Sequence, residues 1–151
     1  MPPDCPASVV LDTNVVLDWL VFGDPAAVAI GRQITALALL WRASSAMQIE
    51  FEHVVQRPAL ARWTPDATAL AAAWRAHARI EVEPPSSALI CADTDDQVFI
   101  DLALEHRCRW LVTRDRALLA LRHQAAAWGV SVLTPQQWLS KTQCEDATTQ
   151  P

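Results

Sequence analysis

The sequence predicts an α/β domain whose central, mostly parallel sheet is covered by helices on both faces. Two observations carry this. Short apolar runs alternate with segments of helical spacing along the whole chain, the order that right-handed crossovers between parallel strands require. The runs are brief and rich in β-branched residues, as at Val9, Val10 and Leu11, which is how strands buried on both faces read.

The elements follow in order. A first strand at 9–11 runs into a short apolar helix over 15–22, ended by Gly23, Asp24 and Pro25. Pro25 suits a first helical turn, and alanines and leucines at helical spacing extend the next helix over 26–41. A short second strand is expected at 43–46, then a helix over 48–56 closed by Arg57 and Pro58. Thr64, before Pro65 and Asp66, is the expected N-cap of an alanine-rich helix ending near His77. Alternating apolar residues predict a strand at 79–82, stopped by Pro84 and Pro85, and 86–93 reads as a loop. Thr94 or Asp95 caps the next helix, whose inward stripe holds Val98, Phe99, Leu102 and Ala103. A strand at 109–113, a helix over 115–123, a strand at 130–133 after Gly129 and a helix opened by Thr134 and Pro135 complete the pattern. One domain is expected over 8–140, with terminal tails at 1–7 and 141–151, the latter polar and frayed.

Bulk composition narrows the function. A chain of 151 residues with 52% apolar content can bury a full core without disulfides or a structural metal. The formal net charge of -5 excludes nucleic-acid binding through a broadly basic surface. It does not exclude a nucleic-acid enzyme, because a divalent cation inverts the field where acids converge. Lys141 is the only lysine. Cys5, Cys91, Cys108 and Cys144 form no zinc-type spacing and are expected as free buried thiols in a reducing compartment. The start has no positive region followed by an apolar one, and the longest apolar stretch, 34–41, is too short for a bilayer, so a soluble cytoplasmic protein is expected.

The chemistry sits where strands end. The first strand stops at Asp12, Thr13 and Asn14, and a late one, Trp110 to Val112, stops at Thr113, Arg114 and Asp115. Ligands of parallel sheets gather at the carboxyl ends of strands, so Asp12, Glu50, Asp96 and Asp115 can converge on one rim. Each alone has a plainer reading: Asp12, Asp96 and Asp115 as helix caps, Glu50 as an exposed helical acid beside Glu52. Packed together they would repel, and a hard cation such as Mg²⁺ or Mn²⁺ would remove that penalty. Metal-assisted hydrolysis of a phosphodiester fits such a set.

The ordered segments VVLDTNVVLDWL, QIEFEHVVQRP, CADTDDQVFIDLALEHRCRWLVTRDRALL and VSVLTPQQWL resemble the PIN domain family, across about 9–139, and most of all its branch of toxins from toxin–antitoxin pairs. The resemblance implies a three-layer α/β/α fold of Rossmann-like topology and a ribonuclease dependent on Mg²⁺ or Mn²⁺. It implies metal ligation by Asp12, Glu50 and Asp96, with Asp115 anchoring the metal or orienting its water, and support by hydrogen bonds from Asn14 and Thr113. Water would attack an RNA phosphodiester in line, without a covalent protein intermediate. RNA, an antitoxin and a second copy of the chain are the expected partners, with no membrane.

Two positions depart from the family. Arg114 stands where many relatives carry a small residue, and it either meets the phosphate backbone or fills the site mouth; Arg116 is a second candidate substrate contact. Ala117 stands where many carry another acid, which weakens any second metal site. Asp93, Asp95 and Asp101 are substitutes for it, each expected rather on a solvated helix face. His53, His77, His106 and His123 have no metal-binding spacing and read as surface or interface residues. Of the tryptophans, including Trp19, Trp41, Trp63 and Trp74, most are expected in the core rather than stacked on bases. The apolar stretch around Trp19 and Leu20, with 34–41, is the expected docking patch for a second copy or an antitoxin.

Haloacid dehalogenase phosphatases and receiver domains also place acids at strand ends, but they need an internal lysine, and none precedes Lys141. Gly23, Gly31 and Gly129 form neither a dinucleotide fingerprint nor a P-loop. The rival that survives is a catalytically silent module of the same fold that binds RNA or a protein, kept open by positions 114 and 117.

Overall fold

In a computed structural model that describes residues 5–149, five parallel strands form one sheet in the order β3-β2-β1-β4-β5. They are β1 (Ala7–Leu11), β2 (Leu39–Ser44), β3 (Ala78–Glu81), β4 (Trp110–Val112) and β5 (Ser131–Leu133). The outermost parts of the expected tails, 1–4 and 150–151, lie outside the described residues. Val9, Val10, Leu111 and Val112 are fully buried, which is why their strands are unbroken apolar runs.

Helices cover both faces. α1 (Thr13–Leu17) passes into a π-helical turn (Asp18–Phe22) and then α2 (Pro25–Thr35), joining β1 to β2; α3 (Ser45–Val55) and α4 (Ala67–His77) join β2 to β3. α5 (Gln97–Glu105) leads to β4, and α6 (Arg116–Leu119) with α7 (Arg122–Ala126) leads to β5. The last helix, α8 (Pro135–Thr149), packs against α2. Strand order reverses at β1, so right-handed crossovers on its two sides leave by opposite faces. That reversal opens a crevice at the carboxyl ends of β1 and β4.

The structure moves several boundaries. α2 stops at Thr35 rather than running to Trp41, and the second strand occupies Leu39–Ser44 rather than 43–46. The stop is a Schellman turn: the Ala38 amide bonds the Gln33 carbonyl and the Leu37 amide bonds that of Ile34, with Leu37 at a φ of 63°. Asp66, not Thr64, caps α4, accepting from the amides of Thr68 and Ala69; Thr64 is left-handed at the end of the preceding turn. Asp93 rather than Thr94 or Asp95 caps the turn Thr94–Asp96 before α5. The helix expected over 115–123 is two short ones. α8 continues to Thr149, through most of the stretch expected to fray.

One core unites the layers. Trp74 lies 4.5 Å from Trp41 and 5.4 Å from Phe51, ring centre to ring centre, and all three are buried. Ile34, Leu39 and Trp41 point into this core, and Trp19 packs against Trp41 at 5.5 Å. Of the stretch expected as a docking patch, Ile34, Leu39 and Trp41 are buried, Trp19 and Leu20 are half-buried, and residues 35–38 are exposed.

Candidate metal centre

The crevice is built by backbone register. Leu11 pairs with Val112, and the Asp12 amide donates to the Val112 carbonyl at 3.0 Å, so Asp12 and Thr113 emerge side by side. The main-chain carbonyl of Asp12 opens α1 by accepting from Val15 and Val16, but its side chain makes no capping bond. The carboxylate turns instead to β4, where Oδ2 accepts from Thr113 Oγ1 at 2.7 Å. Thr113 Oγ1 in turn accepts from the Asp115 amide at 2.9 Å. One buried hydroxyl thus ties two acid-bearing strand ends together.

Asp115 does cap, with Oδ1 accepting from the Ala117 amide at 2.8 Å. Its carboxylate also belongs to a group with Asp93 and Asp96 in which one oxygen of each lies within 4.8 Å of the others. Asp96 stands at the start of α5 without a side-chain capping bond, so its carboxyl is free to face this group. Asp93, expected on a solvated face, is indeed exposed, and it nevertheless belongs to this group. One of its oxygens folds back on the Asp95 amide, which aims the Asp93 side chain back over the turn. The run Asp93, Thr94, Asp95, Asp96 carries that signal, since an Asx turn is what such a run forms.

The loop before Asp93 is held from below. Gln97 accepts from the Cys91 amide and donates to the Leu89 carbonyl and to Asp101, while Asp101 accepts from the Ser87 amide. Asp101 is buried and committed to this scaffold, not solvated and not among the clustered carboxylates. Asp95 is exposed, as expected.

The remaining predicted residues take distinct places. Glu50 reaches from α3 to accept from Thr13 Oγ1 at 2.7 Å, close enough to Asp12 for its charge to act there. Asn14 is exposed, and it is its backbone amide that favours the charged form of Asp12. Arg114 turns away from the acids of the rim, pairing with Asp18 Oδ2 at 3.1 Å and Asp24 Oδ1 at 3.3 Å. The first of these is an ion pair without an aligned hydrogen bond. Arg116 is exposed at the start of α6. Ala117 packs against the core and contributes only its amide.

The electrostatics are those of acids crowded without a counterion. Burial pushes Asp12 above the ordinary carboxylate range, helped by Asp115 and Glu50 and opposed by Thr113 and the Asn14 amide. Asp96 is pushed up to about 7, first by burial, then by its hydrogen bond to Asp115 and by the charges of Asp12, Asp115 and Asp93. The donor set, all carboxylate oxygen, suits a hard divalent ion, and so the residues present fit one.

Other predicted features fall outside the centre. No histidine joins the clustered carboxylates; His53 and His123 are exposed, and His77 and His106 half-buried. Cys91 and Cys108 are free and buried, but Cys5 and Cys144 are exposed, which corrects the expectation of four buried thiols. Trp63 and Trp128 are the exposed tryptophans among the described residues. Among the described residues no single helix is long and apolar enough to cross a membrane.

The comparison with known families agrees with this geometry. A family model described as PIN domain matches residues 8–117, the span that carries β1, α3, the Asp93 turn and the strand end at Asp115. No curated protein matches the chain.

Proposed function

The chain belongs to the PIN domain family, and from that premise we propose that it is a metal-dependent ribonuclease, the toxin of a toxin–antitoxin pair acting in the cytoplasm. The observation that supports this most is the carboxylate group of Asp93, Asp96 and Asp115, with Asp12 fastened beside it through Thr113. A Mg²⁺ or Mn²⁺ ion would be held there by Asp93, Asp96 and Asp115, with Asp12 beside them and Glu50 at the margin, and would offset phosphate charge and activate water for hydrolysis.

The protein's own groups divide the remaining work. Thr113 links the Asp12 carboxylate to the backbone of Asp115 through one hydroxyl. Thr13 holds Glu50 against α1. Asp96, whose proton affinity is raised by burial and by its acidic neighbours, would have to give up its proton to hold a cation, and so couples metal binding to pH. An antitoxin would have to cover this acidic rim or neutralise it, which calls for a cationic side chain on that partner.

The test is Asp12→Asn, which keeps the shape and the Thr113 contact but removes the charge. Wild type should cleave single-stranded RNA with Mn²⁺ and stop with chelator, and its melting temperature should rise with Mn²⁺ concentration. The variant should lose both the cleavage and the shift while its far-ultraviolet circular dichroism is unchanged. Full cleavage by the variant would overturn the assignment. Retained metal shift with no cleavage by wild type would favour the silent binding module instead.

A further inference from the structure

Two segments that touch at the acidic centre meet again beyond it. α1 and the π-helical turn run on from Asp12, while α3 brings Glu50 to Thr13 and then leads into a 3₁₀ turn, Pro58–Trp63. The second meeting is between their far ends, where the rings of Phe22 and Trp63 lie 4.9 Å apart, centre to centre, at 64°. The Phe22 turn is tied to the rim, because Arg114, between Thr113 and Asp115 in sequence, pairs with Asp18 and Asp24 on either side of it. The helical backbone from Thr13 to Phe22 spans about 14 Å at most, so Trp63 stands only a few nucleotides of extended strand from the carboxylates.

Trp63 is held outward. Leu60 is buried and anchors its turn, and Thr64 closes that turn at a φ of 43°, a left-handed conformation that is costly for a β-branched residue. Phe22 packs against the core and supports the indole, yet 42% of Trp63 stays exposed, a large apolar surface left in water. The Arg62 guanidinium lies over that ring, 5.3 Å from its centre, and Arg57 is exposed just before the turn. Neither arginine has an ion pair among the described residues, and no acid occurs in sequence between Glu52 and Asp66. A rigid π face with cations beside it is what an unpaired base between two phosphates takes. Trp128 offers no such site: it precedes β5 at the amino end of the parallel sheet, away from the acids, and no cation among the described residues lies over its ring.

We infer that Trp63, supported by Phe22, is the stacking site for one unpaired base of the RNA substrate, with Arg57 and Arg62 holding the phosphates beside that base. The inference rests on the ribonuclease reading for where the strand leads, and adds a contact that needs no metal.

Binding is read by fluorescence anisotropy of a labelled short single-stranded RNA at low salt, with chelator present so that nothing is cut. An abasic oligomer of the same length, carrying sugar and phosphate only, is the second probe. The wild type should bind the RNA about tenfold or more tighter than the abasic oligomer, the worth of one stacked base. Trp63→Leu keeps an apolar contact for Phe22 but offers no π face, and should abolish that preference while the melting temperature and its rise with Mn²⁺ are unchanged. Trp63→Phe should keep most of the preference, and Trp128→Leu all of it. A Trp63→Leu variant that still prefers the RNA overturns the inference, as does a wild type without preference or an equal loss in Trp128→Leu. Trp63-dependent binding by a wild type that never cleaves with Mn²⁺ would uphold the stacking site and defeat the ribonuclease reading. Cleavage whose KM is indifferent to Trp63→Leu would do the reverse.

Discussion

Thr113 Oγ1 donates to Asp12 Oδ2 at 2.7 Å across 101 positions of sequence, and this is the bond that lowers the proton affinity of the most deeply buried acid of the centre. Without it, burial and the neighbouring carboxylates act on Asp12 unopposed except by the Asn14 amide. Thr113→Val keeps the shape of the side chain and removes the donor. It should cost about 1–3 kcal/mol in denaturant unfolding, the range for stranding a buried polar partner. Metal affinity should fall with it, because Asp12 then holds its proton more tightly. Thr113→Ser should restore both, and a Val variant with unchanged metal affinity would show that Thr113 only fills space.

Asp96 sets a pH dependence with a definite sign. Its carboxyl titrates at about 7 in the folded protein against 3.8 for the unperturbed group, so between those values the folded chain binds the extra proton. Stability without metal is therefore greatest below the lower value and falls as pH rises towards the upper one. A cation needs the proton gone, so its effect runs the other way. Melting temperature without metal should be higher at about pH 5.5 than at about pH 8, and the increase produced by Mn²⁺ should be larger at the higher pH. Asp96→Asn should flatten both trends; a metal-induced shift that is the same at the two pH values would remove Asp96 from the site.

Gly31 makes a prediction in which two effects compete. In the middle of α2, glycine costs about 1 kcal/mol relative to alanine by helix propensity, so Gly31→Ala would stabilise an isolated helix. Here an added Cβ would meet the Trp19 indole at 2.0 to 2.5 Å, and that ring is held from its other sides by Trp41 and His77. Overpacking of this kind costs about 1–3 kcal/mol, which outweighs the propensity gain. Gly31→Ala should lower the melting temperature, and Trp19→Leu in the same chain should recover part of the loss. An alanine variant as stable as wild type would mean that the ring swings clear.

How much of this was legible in the sequence depends on which residue carried each signal. The strands at Val9 to Leu11 and Trp110 to Val112 announced themselves because burial on both faces leaves no polar position to blur them. The end of α7 was marked by Gly129, left-handed at a φ of 80°. The end of α2 uses the same turn with Leu37, and that of α5 with Arg107, so no glycine told where those helices stop. Among the site residues, Asp12 and Asp115 followed from strand ends. For Asp93 the local run showed only the Asx turn; that the turn hangs over the other acids depends on a loop suspended from Gln97 and Asp101. The pull of Asp18 and Asp24 on Arg114 was equally invisible, since it crosses between two loops of the rim.

Arg114 and Arg116 separate the holding of the rim from the holding of RNA. Arg114 lies between two carboxylates, one of them on the buried Asp18, whose own pKa is raised by burial and lowered by this arginine. Its guanidinium is partly exposed, so the pair contributes less than a fully buried one, and Arg114→Ala should cost about 1 kcal/mol, loosening the π-helical turn behind Asp12. Arg116 is exposed and has no ion pair among the described residues, so its charge is available to phosphate. Removing one phosphate contact to a single strand lowers the salt slope of binding by about 0.7. Arg116→Ala should therefore reduce the slope of log affinity against log salt by about that amount and leave the melting temperature alone, while Arg114→Ala should lower the melting temperature and leave the slope unchanged. The reverse pattern would assign the phosphate to Arg114 and make its contacts with Asp18 and Asp24 the resting state of a substrate-binding side chain.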